Sequence, residues 1–239
     1  MELPHSTNYT LPPSIPVLYQ DEFLLVINKP AGILSVPGGF SPDIPCVQQL
    51  LMREYGRLWI IHRLDKDTSG SMILARNAEI HRTMNLYFDS RKIKKDYLAI
   101  ILGSPEWDSV ECAQPLKVNA DRAHRTRVHA GGKPATTHFA VIERFGCSLT
   151  LIKASPATGL THQIRAHLGD LGYPIFHDWL YVDSEQKMQM ENCPIKTDIR
   201  RMALHASQIS FPHPVTSAPT TVYAPLPNDL QDLINEMQG

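Results

Sequence analysis

The sequence predicts an α+β fold with a mixed, mainly antiparallel sheet and flanking helices. Short apolar runs typical of strands recur through the 239-residue chain, and segments with apolar residues at helical spacing lie between some of them. These strands and helices do not alternate regularly enough for a doubly wound parallel sheet. With 43% hydrophobic residues, the chain can bury a sizeable core.

The first part of the chain is predicted to contain four strands and two helices. Polar residues 20–22 separate the first two apolar runs, which indicates a hairpin. We predict strands at residues 17–19, 23–27, 59–61 and 71–75. We predict helices at residues 47–55 and 78–88, where apolar residues recur at helical spacing. A charged turn therefore lies between the third and fourth strands.

The rest of the chain continues this pattern of strands and helices. We predict strands at residues 97–102, 136–141, 149–154 and 206–211. Thr161 can cap a helix in which Ile164, Leu168 and Leu171 form a buried stripe. A C-terminal helix is predicted at residues 226–237, with Asn228 as its capping residue.

A single domain is predicted for residues 16–239, after a flexible N-terminal segment at residues 1–15. The 13 glycines and 19 prolines are scattered and mark no linker. No apolar run approaches the roughly 18 residues that span a bilayer, and the N-terminus does not resemble a signal peptide. Four widely spaced cysteines without a CxxC pair indicate reduced thiols. We therefore expect a protein of the cytoplasm that does not bind a membrane.

The charge of the chain is unevenly distributed. A net charge of −1 is weak evidence against a nucleic-acid partner. Two basic clusters nevertheless stand out: Arg91, Lys92, Lys94 and Lys95, and then Arg122, Arg125, Arg127 and Lys133. Either cluster alone is equally well explained as a solvated surface. Together they favour a polyanionic partner, because they flank a loop that is rich in reactive side chains.

That loop is the stretch HRLDKDTSG at residues 62–70. It places two carboxylates, basic side chains and two hydroxyls between two apolar segments. A second polar stretch, THQIRAHL at residues 161–168, carries His162 and Arg165 on a helix face beside the predicted buried stripe. An arginine held in this way can contact a carboxylate elsewhere in the fold. Such a pair could belong to a functional site, and the alternative is a purely structural ion pair.

Five stretches in this order resemble the RluA-type pseudouridine synthases. They are LLVINKPAGILSVPG (24–38), HRLDKDTSG (62–70), KKDYLAIILG (94–103), THQIRAHL (161–168) and RMALHASQISFPHP (201–214). The resemblance implies a mixed, mainly antiparallel sheet with a central active-site cleft. It also implies an isomerase that needs no metal or other cofactor and acts on a uridine in RNA. Such an enzyme breaks the C1′–N1 bond, turns the uracil and rejoins it through C5.

The resemblance assigns catalytic roles to three residues. Asp65 matches the catalytic aspartate, which must be ionised to attack C1′ or to remove the 2′ proton. Arg165 matches the basic partner that favours this ionised state. Tyr97 matches a tyrosine that stacks on the target uracil, with proton removal at C5 as a second role. Asp67 is expected to be a solvated loop residue, and Gly70 to adopt backbone angles that other residues resist.

Further residues are expected to bind RNA. Arg63 matches a position that contacts the substrate where a nucleotide is extruded. The remaining candidates are His62, Lys94, Lys95, His162, Arg125 and Arg127. The chain departs from the family pattern at Leu160, His177 and Val182. We expect these departures to affect substrate preference more than the pair formed by Asp65 and Arg165.

The expected partner is a structured RNA. The stretches LYQDEFLLVINKPAGILSVPG and GGKPATTHFAVIERF are most similar to the subgroup that modifies a tRNA anticodon stem-loop and a 23S rRNA hairpin. We expect no separate N-terminal RNA-binding module and no obligate protein partner, so the basic rim of the catalytic domain would recognise the shape of the RNA.

Two other functions are weighed against this one. Eleven histidines could supply ligands for a metal-dependent phosphohydrolase, although the chain has no HExxH motif and no closed Cys/His set. A non-catalytic RNA-binding module is the second alternative, but it would not need Asp65, Tyr97 and Arg165 together.

Overall fold

The computed structural model describes residues 15–37, 45–146 and 148–239 of the chain. The flexible segment predicted at residues 1–15 thus lies, apart from Ile15, outside the described residues. The helices are α1 (Val47–Tyr55), α2 (Ala78–Asp89), α3 (Gln163–Asp170), α4 (Ser184–Glu191) and α5 (Asn228–Gln238). The strands are β1 (Val17–Gln20), β2 (Leu24–Lys29), β3 (Trp59–Ile60), β4 (Ser69–Ala75), β5 (Lys94–Leu102), β6 (Ser109–Cys112), β7 (Leu116–Lys117), β8 (Arg127–Val128), β9 (Thr137–Phe145), β10 (Leu149–Pro156), β11 (Leu204–Pro212) and β12 (Pro219–Tyr223).

Ten of these strands form one large sheet. Its order is β1-β2-β4-β11-β5-β10-β9-β6, with β12 paired to β11 and β3 paired to β4. The pairing of β4 with β11 is parallel, whereas the other pairings in this sheet are antiparallel. Strands β7 and β8 form a separate small hairpin. The mixed, mainly antiparallel sheet predicted from the sequence is therefore confirmed, as is its N-terminal hairpin.

The centre of the sheet is buried on both faces. In β2, Leu25 and Ile27 pack into the larger core, whereas Leu24 and Val26 pack into a second core on the opposite face. This second core includes Met84 of α2. Burial on both faces explains why β2 and β4 appear in the sequence as continuous apolar runs. In the part of the chain that the structure describes, no helix is both long and apolar enough to cross a membrane.

Several helix ends differ from the sequence prediction. Thr161 does not cap α3, because His162 occupies the N-cap position in a left-handed conformation, with φ of 55°. Leu171 follows the helix and is only half-buried. Asn228 is the first residue of α5 rather than its cap, which is Pro227. The short strands β6, β7 and β8 and helix α4 were not predicted, since they lack a clear apolar pattern.

The strand after the HRLDKDTSG loop begins earlier than predicted, at Ser69. Its second residue, Gly70, has φ of 120° and pairs with Ala206 of β11. A Cβ at Gly70 would lie 2.2 Å from the carbonyl oxygen of Ala206. Opposite this point the register of β11 against β5 shifts between His205 and Gln208, and such irregularities often lie beside active sites. Gly70 therefore allows β4 and its preceding loop to approach β11 closely.

We predict that Gly70→Ala lowers the free energy of unfolding by about 3 kcal/mol or more, because the methyl group clashes with rigid backbone and the positive φ disfavours alanine. Gly146→Ala is the matched control, since a Cβ there meets nothing within 4 Å. It should change stability by less than about 1 kcal/mol. Urea denaturation of both variants measures the difference. Equal midpoints would contradict a close contact between β4 and β11.

Candidate active site

A cleft of about 1000 Å³ opens beside the loop that precedes β4. Its walls come from this loop at residues 60–68, from β5, and from the segment at residues 156–165 that leads into α3. The cleft brings together seven of the ten predicted site residues: His62, Arg63, Asp65, Lys95, Tyr97, His162 and Arg165. Residues from three distant parts of the sequence thus face one space.

Arg165 lies at the centre of this arrangement and contacts two carboxylates. Its Nη1 donates a hydrogen bond of 3.0 Å to Oδ2 of Asp65. Its Nε and Nη2 donate to the two carboxylate oxygens of Asp178, at 2.6 and 2.8 Å. Asp178 and Arg165 are both buried, whereas Asp65 is partly open to the cleft. The bidentate pair with Asp178 therefore fixes the guanidinium that reaches Asp65.

The surroundings keep Arg165 charged. Burial alone would lower the pKa of the guanidinium, but the charge and hydrogen bonds of Asp178, together with the charge of Asp65, raise it above its ordinary value. The guanidinium carbon also lies 4.9 Å from the centre of the Tyr181 ring, a cation–π contact. Arg165 is thus a permanent positive charge beside Asp65.

His162 lies on the other side of the Asp65 carboxylate. Its Nε2 is 3.6 Å from Oδ2 of Asp65, and its Nδ1 is 3.1 Å from the hydroxyl of Tyr181. Burial and the nearby charge of Arg165 lower the pKa of this imidazole, while Asp65 and Asp178 oppose the shift. His162, which was predicted to bind RNA, therefore also lies beside the Asp65 carboxylate.

Tyr97 projects from β5 into the same cleft. It is almost fully buried, and it lies opposite the irregular part of β11. Burial, followed by the charge of Asp65, raises the pKa of its hydroxyl, so Tyr97 remains protonated at neutral pH. The ring offers an aromatic surface to a planar ligand in the cleft.

His62 and Lys95 line the opposite wall of the cleft around Phe88. Nε2 of His62 accepts a hydrogen bond of 3.0 Å from the amide of Ile73, so this histidine braces the loop against β4. Burial and the charge of Lys95 lower the pKa of His62 to about 3. Burial lowers the pKa of Lys95 to about 8, and its ammonium lies 5.6 Å from the centre of the Phe88 ring.

The backbone on both sides of Asp65 is held in place. The hydroxyl of Ser35 donates to the carbonyl of Leu64 at 2.8 Å and accepts from its amide at 3.0 Å. Nζ of Lys29 donates to the carbonyl of Lys66 at 3.0 Å, and the amide of Gly32 donates to the same oxygen. The loop that carries Asp65 is therefore pinned by the segment after β2.

Lys29 and Asp67 are more buried than the sequence indicated. Lys29 is completely buried, and its Nζ also donates to the carbonyls of Pro30 and Ile33. Burial lowers its pKa to about 7, against the opposing charges of Asp67 and Asp65. Oδ1 of Asp67 is buried and has no hydrogen-bond partner among the described residues. Asp67 as a whole is half-buried, so it is less solvated than expected.

The remaining predicted RNA-binding residues lie outside the cleft. Lys94 is exposed on β5. Nε of Arg125 and Nε of Arg127 contact the same oxygen of Asp121, at 2.6 and 3.0 Å. Both arginines therefore have a carboxylate partner, because a turn brings Asp121 back to them. Between them, Thr126 donates its hydroxyl to the carbonyl of Thr161 at 2.7 Å, so this segment adjoins the cleft wall.

Comparison with known proteins identifies the family. A family model described as RNA pseudouridylate synthase matches residues 23–170. The chain is 36% identical over 242 residues to "Ribosomal large subunit pseudouridine synthase D" of Xylella fastidiosa, covering 97% of this chain and 72% of that protein. It is 37% identical over 228 residues to "Ribosomal large subunit pseudouridine synthase C" of Pasteurella multocida, covering 93% and 68% respectively. The chain belongs to the RNA pseudouridylate synthase family.

The fold agrees with this family. The solved structure "Human RNA Pseudouridylate Synthase Domain Containing 4" matches 93% of this chain and 93% of its own, with a TM-score of 0.74 at 24% identity. Membership of the pseudouridine synthase family makes the chain an isomerase, so the phosphohydrolase and the non-catalytic module do not describe it. Within residues 15–37, 45–146 and 148–239, no three His, Cys, Asp or Glu side chains converge in a way that could hold a metal ion.

Two residues that shape this pseudouridine synthase site were not predicted from the sequence. Asp178 lies two residues after the buried Phe176, with His177 between them, and this position gives little signal in the sequence. Tyr181 packs on Arg165 and accepts a hydrogen bond of 2.8 Å from the amide of Thr126. Among the departures from the family pattern, Leu160 lines the cleft, whereas His177 and Val182 lie beside Asp178 and Tyr181 in the chain.

We predict that His62→Gln flattens the pH dependence of stability. Folded His62 stays neutral down to about pH 3, whereas an unfolded histidine binds a proton near its ordinary pKa of 6.5. The unfolded state therefore binds more protons between these values, and stability falls as pH decreases. Glutamine can still accept from the Ile73 amide but cannot titrate. The free energy of unfolding, measured by urea denaturation, should fall between pH 6.5 and pH 4.5 by about 1–2 kcal/mol less in the variant than in the wild type. Parallel losses would contradict a neutral His62.

Proposed function

We propose that this enzyme converts a uridine in a structured RNA into pseudouridine, with Asp65 as its catalytic carboxylate. The observation that carries the proposal is the contact between Asp65 and Arg165, whose guanidinium is itself fixed by Asp178. This carboxylate faces a cleft large enough for a nucleotide, and Tyr97 lines the same cleft. A planar base and the carbon to which it is attached would therefore meet an aromatic surface and a carboxylate together.

The proposed reaction is an isomerisation in which nothing is added or lost overall. Asp65 either attacks C1′ or removes the 2′ proton, and the bond from C1′ to N1 breaks. The freed uracil turns within the cleft, and C5 forms a bond with C1′. At this step the bond between Asp65 and C1′ breaks on the first route, and Asp65 returns the proton to C2′ on the second. The proton on C5 then leaves, and N1 gains one. The chemistry requires a carboxylate near the sugar and no cofactor.

Arg165 and Tyr97 would have separate roles in this reaction. Arg165 keeps a positive charge beside Asp65, which favours the ionised carboxylate. Tyr97 would stack on the uracil while it turns, in keeping with its buried ring. Because the hydroxyl of Tyr97 holds its proton at neutral pH, stacking suits this side chain better than proton removal at C5.

The substrate we propose first is an RNA of the large ribosomal subunit. The names of similar bacterial proteins, including those of Xylella fastidiosa and Pasteurella multocida, refer to that subunit. The tRNA anticodon stem-loop suggested by the sequence resemblance is a second candidate. Pseudouridine mapping of total RNA from cells with and without this protein distinguishes the two, because the missing site lies in 23S rRNA, in tRNA or in both.

We predict that Asp65→Asn abolishes pseudouridine formation and leaves RNA binding within about threefold of wild type. The amide has nearly the same shape but lacks the charge and nucleophilicity of the carboxylate. Tritium release from 5-tritiated uridine in transcribed RNA measures the activity, and filter binding measures the affinity.

Asp67→Asn is the matched control for this experiment, since it removes the neighbouring carboxylate of the same loop. It should keep most of the activity, and thermal melting should show that both variants are folded. Turnover above a few per cent in Asp65→Asn, together with loss of activity in Asp67→Asn, would transfer the catalytic role to Asp67.

We predict that Arg127→Gln weakens RNA binding without changing the rate at saturating RNA. Arg127 is half-exposed beside the cleft wall, and its loss removes a cation that can contact phosphate. The slope of log affinity against log salt should become flatter by somewhat less than one unit. Lys153→Gln is the control, because Lys153 pairs with Asp96 on the face of the sheet that points away from Tyr97. Equal slopes in the two variants would exclude Arg127 from the RNA interface.

A further inference from the structure

A second cleft lies beside Asp178, between residues 176–179 and residues 190–199. Its volume is about 620 Å³. One side is formed by Phe176, His177 and Trp179, and the other by residues 190–199. None of these residues has a role in the proposed isomerisation, so that reaction does not account for the second cleft.

The aromatic side of this second cleft is open to a ligand. Trp179 is 38% exposed, although a tryptophan of a folded domain is usually mostly buried. The ring of His177 lies 5.3 Å from that of Trp179 and 4.4 Å from that of Phe176. Successive aromatic rings with an exposed face provide a surface on which a nucleobase can stack.

The backbone of His177 adopts an uncommon conformation. Its φ is 61°, in the left-handed region that favours glycine. A residue other than glycine is uncommon there, and strained backbone of this kind clusters at binding sites. The chain therefore holds an imidazole between Phe176 and Trp179 despite the strain.

The second cleft is linked to the catalytic cleft through Asp178. Asp178 lies between His177 and Trp179 in the chain, and its carboxylate binds Arg165, which contacts Asp65. Consecutive Cα atoms are about 3.8 Å apart, so Trp179 is within one residue of a side chain that holds the catalytic arginine. On its other side, the carbonyl of Leu180 accepts a hydrogen bond from Arg125. The two clefts are therefore near enough for one RNA to extend from the first to the second.

The charges around the second cleft are compatible with an RNA backbone. Its two carboxylates are paired, because Arg200 donates to Asp198 and Lys187 lies 3.8 Å from Glu191. Lys196 lines the cleft and is exposed, and its backbone amide donates to the carboxylate of Glu236. The charges around the cleft are therefore close to balanced, and Lys196 offers a cation on the side opposite the aromatic rings.

We propose that the second cleft binds an unpaired nucleobase of the same RNA, next to the target uridine, by stacking it on Trp179 and His177. This inference rests on the proposed function for the position of the RNA. It makes Trp179 a determinant of substrate choice, because only RNAs with an unpaired base at the right distance would occupy both clefts.

The test uses the fluorescence of Trp179. The chain contains three tryptophans, so the double variant Trp59→Phe/Trp107→Phe retains Trp179 alone. It is titrated with hexaadenylate and with a ribose-phosphate chain of equal length without bases. We expect hexaadenylate to quench the emission and the abasic chain to leave it unchanged. Absence of quenching by hexaadenylate, or equal quenching by both, would overturn the proposal.

A pair of substitutions distinguishes stacking from a merely apolar surface. By fluorescence anisotropy with labelled hexaadenylate, Trp179→Leu should bind about fivefold more weakly or worse, and Trp179→Phe should keep most of the affinity. Leucine retains apolar bulk but has no ring face. Equal affinities of the leucine and phenylalanine variants would mean that no base stacks on the ring at position 179 and would overturn the proposal.

Failure of this inference can be separated from failure of the proposed function. Asp65→Asn in the single-tryptophan background should still be quenched, since Asp65 does not line the second cleft. Quenching without any pseudouridine formation by the wild-type protein would refute the proposed reaction and keep the nucleobase site. Normal pseudouridine formation without quenching would refute the site alone.

Discussion

The pair of carboxylates around Arg165 is the constraint on which the site depends. A buried guanidinium is tolerated only when its charge and its donors are satisfied, and breaking such a network typically costs about 3–5 kcal/mol. Here, the two partners come from separate parts of the chain. Asp65 lies in the loop before β4, and Asp178 follows α3. Satisfying one arginine therefore fixes two loops relative to a helix, and it leaves one face of Asp65 open to the cleft.

This network can form only because the sheet brings its loops together. Gly70 allows β4 to lie against Ala206 of β11, and the irregular register of β11 lies opposite Tyr97. The loop before β4 is then pinned on both sides of Asp65, through Ser35 and through the buried ammonium of Lys29. A loop usually positions a side chain less accurately than a strand does. These anchors compensate for that weakness, since little of the loop can move without breaking buried hydrogen bonds.

The parts of this arrangement that the sequence predicted are local ones. Apolar periodicity identified the N-terminal hairpin and most of the central strands, because a buried strand carries its signal in its own residues. The motifs around Asp65 and Arg165 were recognised because their residues are close in sequence. Partners that meet only after folding were not predicted. Asp178 and Asp121 are ordinary carboxylates in the sequence, and only the turns of the chain bring them to Arg165 and Arg125.

The distribution of charge explains how the protein could bind a polyanionic RNA while only an uncharged base enters the catalytic end of the cleft. Arg165 and its two carboxylates together carry one formal negative charge more than positive charge, whereas Arg63, Lys66 and Lys95 add positive charge to the walls of the cleft. Burial lowers the pKa of both His62 and His162, which limits further positive charge in the cleft. The carboxylate end of the cleft therefore suits an uncharged uracil beside Tyr97 better than a phosphate. Phosphates are better held by the cationic side chains of the walls, such as the exposed Arg63, and this separation favours an extruded base over a bound duplex.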